Sequence, residues 1–284
     1  MPAAKGRKRS ARARAGSDHP KASAADSPPV ALPDDENVDA IIGNLKRLAS
    51  RKHRDALARF AIPDKNAFGV PVGRIQSLAM QLKRSAARSD DSLAARHRLA
   101  IALWDTGWYE ARLLAVFVDE PSFVTASQMD RWAKQFEHWA DCDTACFHLF
   151  DRTPHAFRKV HAWAARKEEF VKRAAFALLA SIALHDKNTD DDVFAECLVL
   201  IEREAGDDRN FVKKAVNWAL RAIGGRSPAL HGYAVSLAQH LAESETPSAR
   251  WIGKDALRAF RSRAMQSRLN RKARKKSATT RRSS

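Results

Sequence analysis

Val38, Ile41, Ile42, Leu45 and Leu48 succeed one another at intervals of three, one, three and three residues, which places their side chains on one stripe of an α-helix. The acidic run Asp34-Asp35-Glu36 ahead of them favours a helix N-terminus. The same rhythm returns along the chain and predicts helices over about 72–84, 92–104, 108–118, 127–139, 143–150, 168–184, 190–203, 210–223, 228–242 and 248–262, with one more opening at Thr153-Pro154. Polar or Pro/Gly-containing breaks separate them at Ile62-Pro63-Asp64, Phe68-Gly69-Val70-Pro71, Thr106-Gly107 and Pro121. Gly206, Gly224 and Gly225 stand where helices should stop. No window alternates apolar and polar residues with β-branched enrichment, so no sheet is expected. The short connectors call for antiparallel neighbours.

In the second half these helices share a phrase. Glu169-Phe170-Val171-Lys172-Arg173-Ala174 is echoed by Asn210-Phe211-Val212-Lys213-Lys214-Ala215 and again by Arg250-Trp251-Ile252-Gly253-Lys254-Asp255, at offsets of 41 and 40 residues. A helical repeat of that length is the signature of stacked helix pairs of HEAT type. The expected fold is therefore an all-α HEAT-like solenoid over residues 34–262, with a concave surface lined by the second helix of each pair. Equivalent residues of successive repeats form columns, and the column Arg173, Lys214, Lys254 is basic. Trp218 lies one helical turn beyond Lys214.

Charge sharpens this picture. The net charge is +17. Residues 1–30 hold seven Lys/Arg against Asp18 and Asp26, and residues 261–284 hold ten Lys/Arg and no acid, which leaves only +2 for residues 31–260. Two basic, disordered tails, 1–33 and 263–284, are expected to flank a nearly neutral folded part, with part of the second becoming helical on a polyanion. Such tails attract polyanions through a salt-sensitive, sequence-blind field; the alternative is that they only solubilise. No stretch reaches 18 consecutive apolar residues and the basic N-terminus has no apolar segment of a secretory signal, so neither a membrane span nor export is expected. Three cysteines suggest a reducing compartment. With the Ala/Arg-rich usage, this points to a bacterial cytoplasmic protein.

Candidate chemistry gathers between Trp132 and Arg152. Five of the seven tryptophans fall between positions 104 and 163. Trp139 and Asp143 are four residues apart and share a face if one helix runs through both. Large aromatic residues in helix stacks more often serve as core anchors, so that reading stays open for each tryptophan. His138, Cys142 and Cys146 are also four residues apart, but no fourth ligand stands at a familiar spacing, so packed thiols are preferred to a metal site. No phosphate-binding Gly-rich loop, zincin helix or nucleophile elbow is present.

Five segments together resemble a known family, the AlkD-type DNA alkylation repair glycosylases of HEAT-like repeats: Phe68-Gly69-Val70 with Arg74; Leu103-Trp104 with Glu110-Ala111-Arg112; Trp139-Ala140-Asp141-Cys142-Asp143; Phe170 to Ala175; and Phe211 to Ala215 with Trp218. The resemblance spans about residues 38–260. It implies excision of N3- and N7-alkylated purines from double-stranded DNA by a monomer without cofactor. It also implies Asp143 as catalytic carboxylate, Trp139 and Trp218 as the tryptophans beside base and sugar, and Arg173 as a phosphate contact. Phe60 stands where some relatives have a tyrosine that approaches DNA. Physical chemistry agrees with a single carboxylate: an alkylated purine already carries positive charge and leaves without an acid, so one anion beside C1′ can stabilise the oxocarbenium ion and orient water. Indole faces favour a cationic base. Arg173, Lys214 and Lys254 are then expected to hold one DNA strand, while Lys172 and Lys213 read as solvated surface charge. Two other readings remain: a non-catalytic HEAT module for branched or distorted DNA, which needs no Asp143, and a protein-interaction scaffold.

Overall fold

The computed structural model describes residues 38–85 and 90–283, and among them there is helix and no strand. The expected N-terminal tail 1–33 and the acidic run 34–36 lie outside the described residues. The chain opens with α1 (Val38–Arg47), which buries Ile41, Ile42 and Leu45, and α2 (Arg51–Leu57). Periodicity alone does not mark the break between them. The Ser50 hydroxyl makes it by accepting from the His53 N–H at 3.3 Å, an N-cap that starts a new helix. A 3₁₀ turn, Ala58–Phe60, follows.

Next come α3 (Val72–Ser85), α4 (Asp90–Asp105), α5 (Tyr109–Val118), α6 (Ala126–Lys134) and α7 (Trp139–His148). A second 3₁₀ turn, Phe150–Arg152, leads to α8 (Ala156–Ala164), α9 (Glu169–His185), α10 (Asp191–Glu204), α11 (Asn210–Gly224), α12 (Pro228–Ala242) and α13 (Pro247–Phe260). The helices form two layers. Helices α3, α5, α7, α9, α11 and α13 pack each on the next, and α8, α10 and α12 lie behind α9, α11 and α13. This is the HEAT-like solenoid expected from the repeat. The repeated phrase opens α9 and α11 and lies one turn into α13; the rings of Phe170 and Phe211 approach to 5.5 Å. Helix α9 is covered by α7, α8 and α11, which is why its run Phe176-Ala177-Leu178-Leu179-Ala180 has no polar face. Gly253 allows α13 to approach α12 closely: a Cβ there would come within 2.5 Å of the Ala238 carbonyl oxygen.

Three of the seven tryptophans take the structural role. Trp104 and Trp132 are fully buried and stack at 4.0 Å, and Trp163 is buried with its indole N–H donating to Asp130 at 2.8 Å. One buried carboxylate organises the start of the stack. Glu110 on α5 accepts from the backbone N–H groups of Phe68 (2.9 Å), Gly69 (2.6 Å) and Val70 (3.0 Å). Gly69 adopts φ +84°, and a Cβ there would lie 2.4 Å from the Ser50 carbonyl oxygen, so both the backbone conformation and the space demand glycine. Phe68 closes the contact by stacking on Trp108 at 4.3 Å.

The C-terminal basic segment, of which part is expected to be helical, forms helix α14 over Arg263–Ser283. Met265 and Leu269, one turn apart, are buried against the end of the stack. Lys272 Nζ donates to the carbonyls of Gly225 (2.9 Å) and Arg226 (2.8 Å), just beyond the end of α11, where helix carbonyls lack partners and a cation is favoured. No helix among the described residues is long and apolar enough to cross a membrane.

Candidate active site and nucleic-acid face

Trp139 and Asp143 belong to one helix. The sequence reading carried the preceding helix to Trp139, whereas α6 stops at Lys134 and His138 starts α7 anew. His138 has extended backbone angles, and its ring Nδ1 accepts from the Asp141 N–H at 3.3 Å. Burial lowers the His138 pKa to about 4, with Arg112 pushing the same way, so the ring is neutral and free to accept. Asp141 is also buried and accepts from the N–H groups of Glu137 and Cys142; burial pushes its pKa up to about 7. Both residues build the helix start. The Cys142 and Cys146 thiols point to the carbonyls of Phe170 (3.7 Å) and Ala174 (3.5 Å), fastening α7 to α9.

With the helix so placed, Trp139, Asp143 and Phe147 follow one another a turn apart. The Trp139 indole N–H donates to the Phe60 carbonyl at 2.6 Å, and the Phe60 ring itself is 59% exposed. A position read from sequence as a lost hydroxyl thus contributes through its backbone. Phe147 stacks against Trp218 of α11 at 6.3 Å, so Trp218 reaches the same face as Asp143. Trp139 and Trp218 are both half-buried, unlike the core tryptophans. Phe147 was missed in the sequence, although its place four residues after Asp143 was the available signal.

Arg173 departs from expectation. It is only 6% exposed and all three of its nitrogens are engaged. Nε and Nη2 grip the two Asp143 oxygens at 2.9 and 2.7 Å, and Nη1 donates to the Phe211 carbonyl at 2.7 Å. The residue expected to contact a phosphate holds the candidate catalytic carboxylate, because a guanidinium buried between α7 and α11 must find acceptors there. Burial raises the Asp143 pKa while the Arg173 charge opposes that shift. With a guanidinium bidentate on it, the pair is ionic, and the 20% of the Asp143 side chain that stays exposed is the part a ligand can meet.

The basic column therefore has two exposed members, Lys214 and Lys254, neither paired with a carboxylate among the described residues. Lys172 and Lys213 also differ from the solvated charges expected. Lys172 is nearly buried between Glu204 (2.7 Å) and Asp207 (3.2 Å), and Lys213 lies 5.2 Å from the Trp251 ring centre.

The face thus presents one fixed carboxylate among aromatic rings; exposed Lys214 lies one turn before Trp218 on α11, and exposed Lys254 lies on α13. A family model described as DNA alkylation repair enzyme matches residues 41–260. A search of curated proteins gives no significant match. A similar solved structure has a TM-score of 0.62 at 17% identity, covering 78% of this chain and 94% of that one; it is described as a new family of proteins related to the HEAT-like repeat DNA glycosylases with affinity for branched DNA structures. At that identity the likeness speaks for the fold, and the family match speaks for descent: this chain belongs to the DNA alkylation repair enzyme family.

Proposed function

We propose that this chain is a glycosylase that breaks the N-glycosidic bond of cationic N3- or N7-alkylated purines in duplex DNA. The observation that supports this most is the constellation of Asp143, held by Arg173 through both oxygens, with Trp139 one turn before it and Trp218 reached through Phe147. In the reaction the C1′–N bond breaks and its electron pair leaves with the purine, neutralising the positive charge. Positive charge develops on the sugar, where the exposed edge of Asp143 stabilises it. Water then adds to C1′ and loses a proton to Asp143 or to solvent. Arg173 is a positioning residue: it spends its donors on fixing the carboxylate and keeping it ionised. The indoles supply faces for a cationic base without a deep enclosing pocket.

A second reading is that the chain recognises branched or distorted DNA without chemistry. The affinity described for the solved neighbour favours it, as does the fact that a bidentate ion pair can serve structure alone. Incubation with N-methylated duplex separates the two. Released methylpurine supports the glycosylase, whereas salt-dependent binding that prefers a branched junction, without release, supports the second reading. Both readings use the exposed lysines. Lys214→Glu and Lys254→Glu are each expected to weaken duplex binding and to reduce the slope of log K against log salt by about one unit. An unchanged slope in both variants would remove α11 and α13 from the DNA interface. Lys172→Glu should instead lower the unfolding midpoint, because it sets a like charge against Glu204 and Asp207.

A further inference from the structure

We propose that His185, held by the buried carboxylate of Asp151, is an additional DNA-phosphate contact at the far edge of the candidate site. The proposal rests on the DNA-binding part of the reading above and is independent of base release. Asp151 lies in the 3₁₀ turn after α7 and its side chain is wholly buried. Its Oδ2 is 2.5 Å from His185 Nδ1, and its Oδ1, 3.8 Å from Arg152 Nε, has no hydrogen-bond partner. A buried carboxylate with one imidazole as its close partner fixes that ring in one orientation. Nδ1 carries the proton toward Asp151, which leaves Nε2 as the outward atom. The His185 side chain is 40% exposed.

The position of the pair is what makes it functional. The Phe147 ring meets His185 edge-on at 4.2 Å and also stacks with Trp218 at 6.3 Å. His185 therefore borders the aromatic wall that Asp143 also faces, one side chain removed from Trp218. It sits in the last turn of α9, where the helix dipole favours a cation. The titratable and charged groups around it are Asp151 and Arg152 from the turn, His148 from the end of α7, and Asp186 and Lys187 just beyond α9; α11 contributes Trp218 through Phe147. Burial lowers the His148 pKa, with Arg152 and His185 acting in the same sense. Because Nδ1–H is committed to Asp151, Nε2 can donate to a phosphate oxygen only when the imidazole is doubly protonated.

The test is equilibrium binding of the full chain to an undamaged fluorescent duplex, measured over a range of salt. His185→Gln is expected to bind roughly three- to tenfold more weakly than the wild type, with a salt slope smaller by about one unit. His185→Arg, which carries a fixed charge, should restore both the affinity and the slope. Asp151→Asn, which loosens the hold on the ring, should lose most of the same affinity. The proposal is overturned if His185→Gln binds like the wild type, or if its affinity falls with no change in salt slope. Absence of base release would remove the glycosylase reading but leave these binding results to stand or fall alone.

Discussion

Asp143→Asn is expected to reduce release of methylated purine by about 10²- to 10³-fold while leaving duplex binding nearly intact, the scale seen when one preorganised electrostatic contact to a transition state is removed. The change keeps the shape of the side chain and discards its charge. It also leaves the Arg173 guanidinium, 6% exposed, without its counter-ion. Loss of one partner from a buried ion pair costs about 3–5 kcal/mol. Because Asp143 keeps a partly exposed edge, the lower end of that range is expected here. Activity must therefore be compared well below the unfolding midpoint of the variant, with thermal unfolding recorded alongside. Release at the wild-type rate would move the chemistry to another residue and leave the Asp143–Arg173 pair as a structural element.

The largest effect on stability is expected from Glu110→Ala. The substitution strands three backbone N–H groups, those of Phe68, Gly69 and Val70, beneath a side chain that is fully buried. Each hydrogen bond to a charged acceptor contributes about 1.5–3 kcal/mol. The combined loss, about 4 kcal/mol or more, is a large share of the 5–15 kcal/mol that typically separates folded from unfolded chains. The damage should reach the site as well. The loop that Glu110 holds also accepts the Ser50 N–H at the Gly69 carbonyl, next to the α2 segment that ends in the Phe60 turn holding Trp139. Urea unfolding should show a markedly lower midpoint, and base release should fall even where the chain stays folded. A midpoint within error of the wild type would mean that this loop contributes little to the stack.

The helices and their repeat were legible because they are local or periodic: an apolar stripe, a proline, a glycine and a 40-residue echo can all be read from one chain. What escaped was contact across long separations. Phe68-Gly69-Val70 and Glu110 were both noticed, yet nothing in their spacing reveals that one caps the other. The pairing of Arg173 with Asp143 escaped for the same reason. A repeat column predicts equivalent positions, but Arg173 lies between α7 and α11, whereas Lys214 and Lys254 lie where solvent reaches them. At α14 a run of Lys and Arg with few apolar residues masks the one-turn spacing of Met265 and Leu269 that docks the helix. Trp139 and Asp143 were assigned to adjoining helices because His138 is an uncommon cap, and its role depends on burial that keeps the ring neutral.

The chemistry proposed for this chain depends on a leaving group that arrives already charged, since among the described residues no second carboxyl group interacts with Asp143. Single-turnover base release from matched duplexes, one carrying N7-methylguanine and the other a neutral hypoxanthine, tests that dependence most directly. The expected result is enzyme-dependent release of the methylated base far above its spontaneous loss, with hypoxanthine retained. Release of both bases at similar rates, or of neither while the duplex is bound, would contradict it.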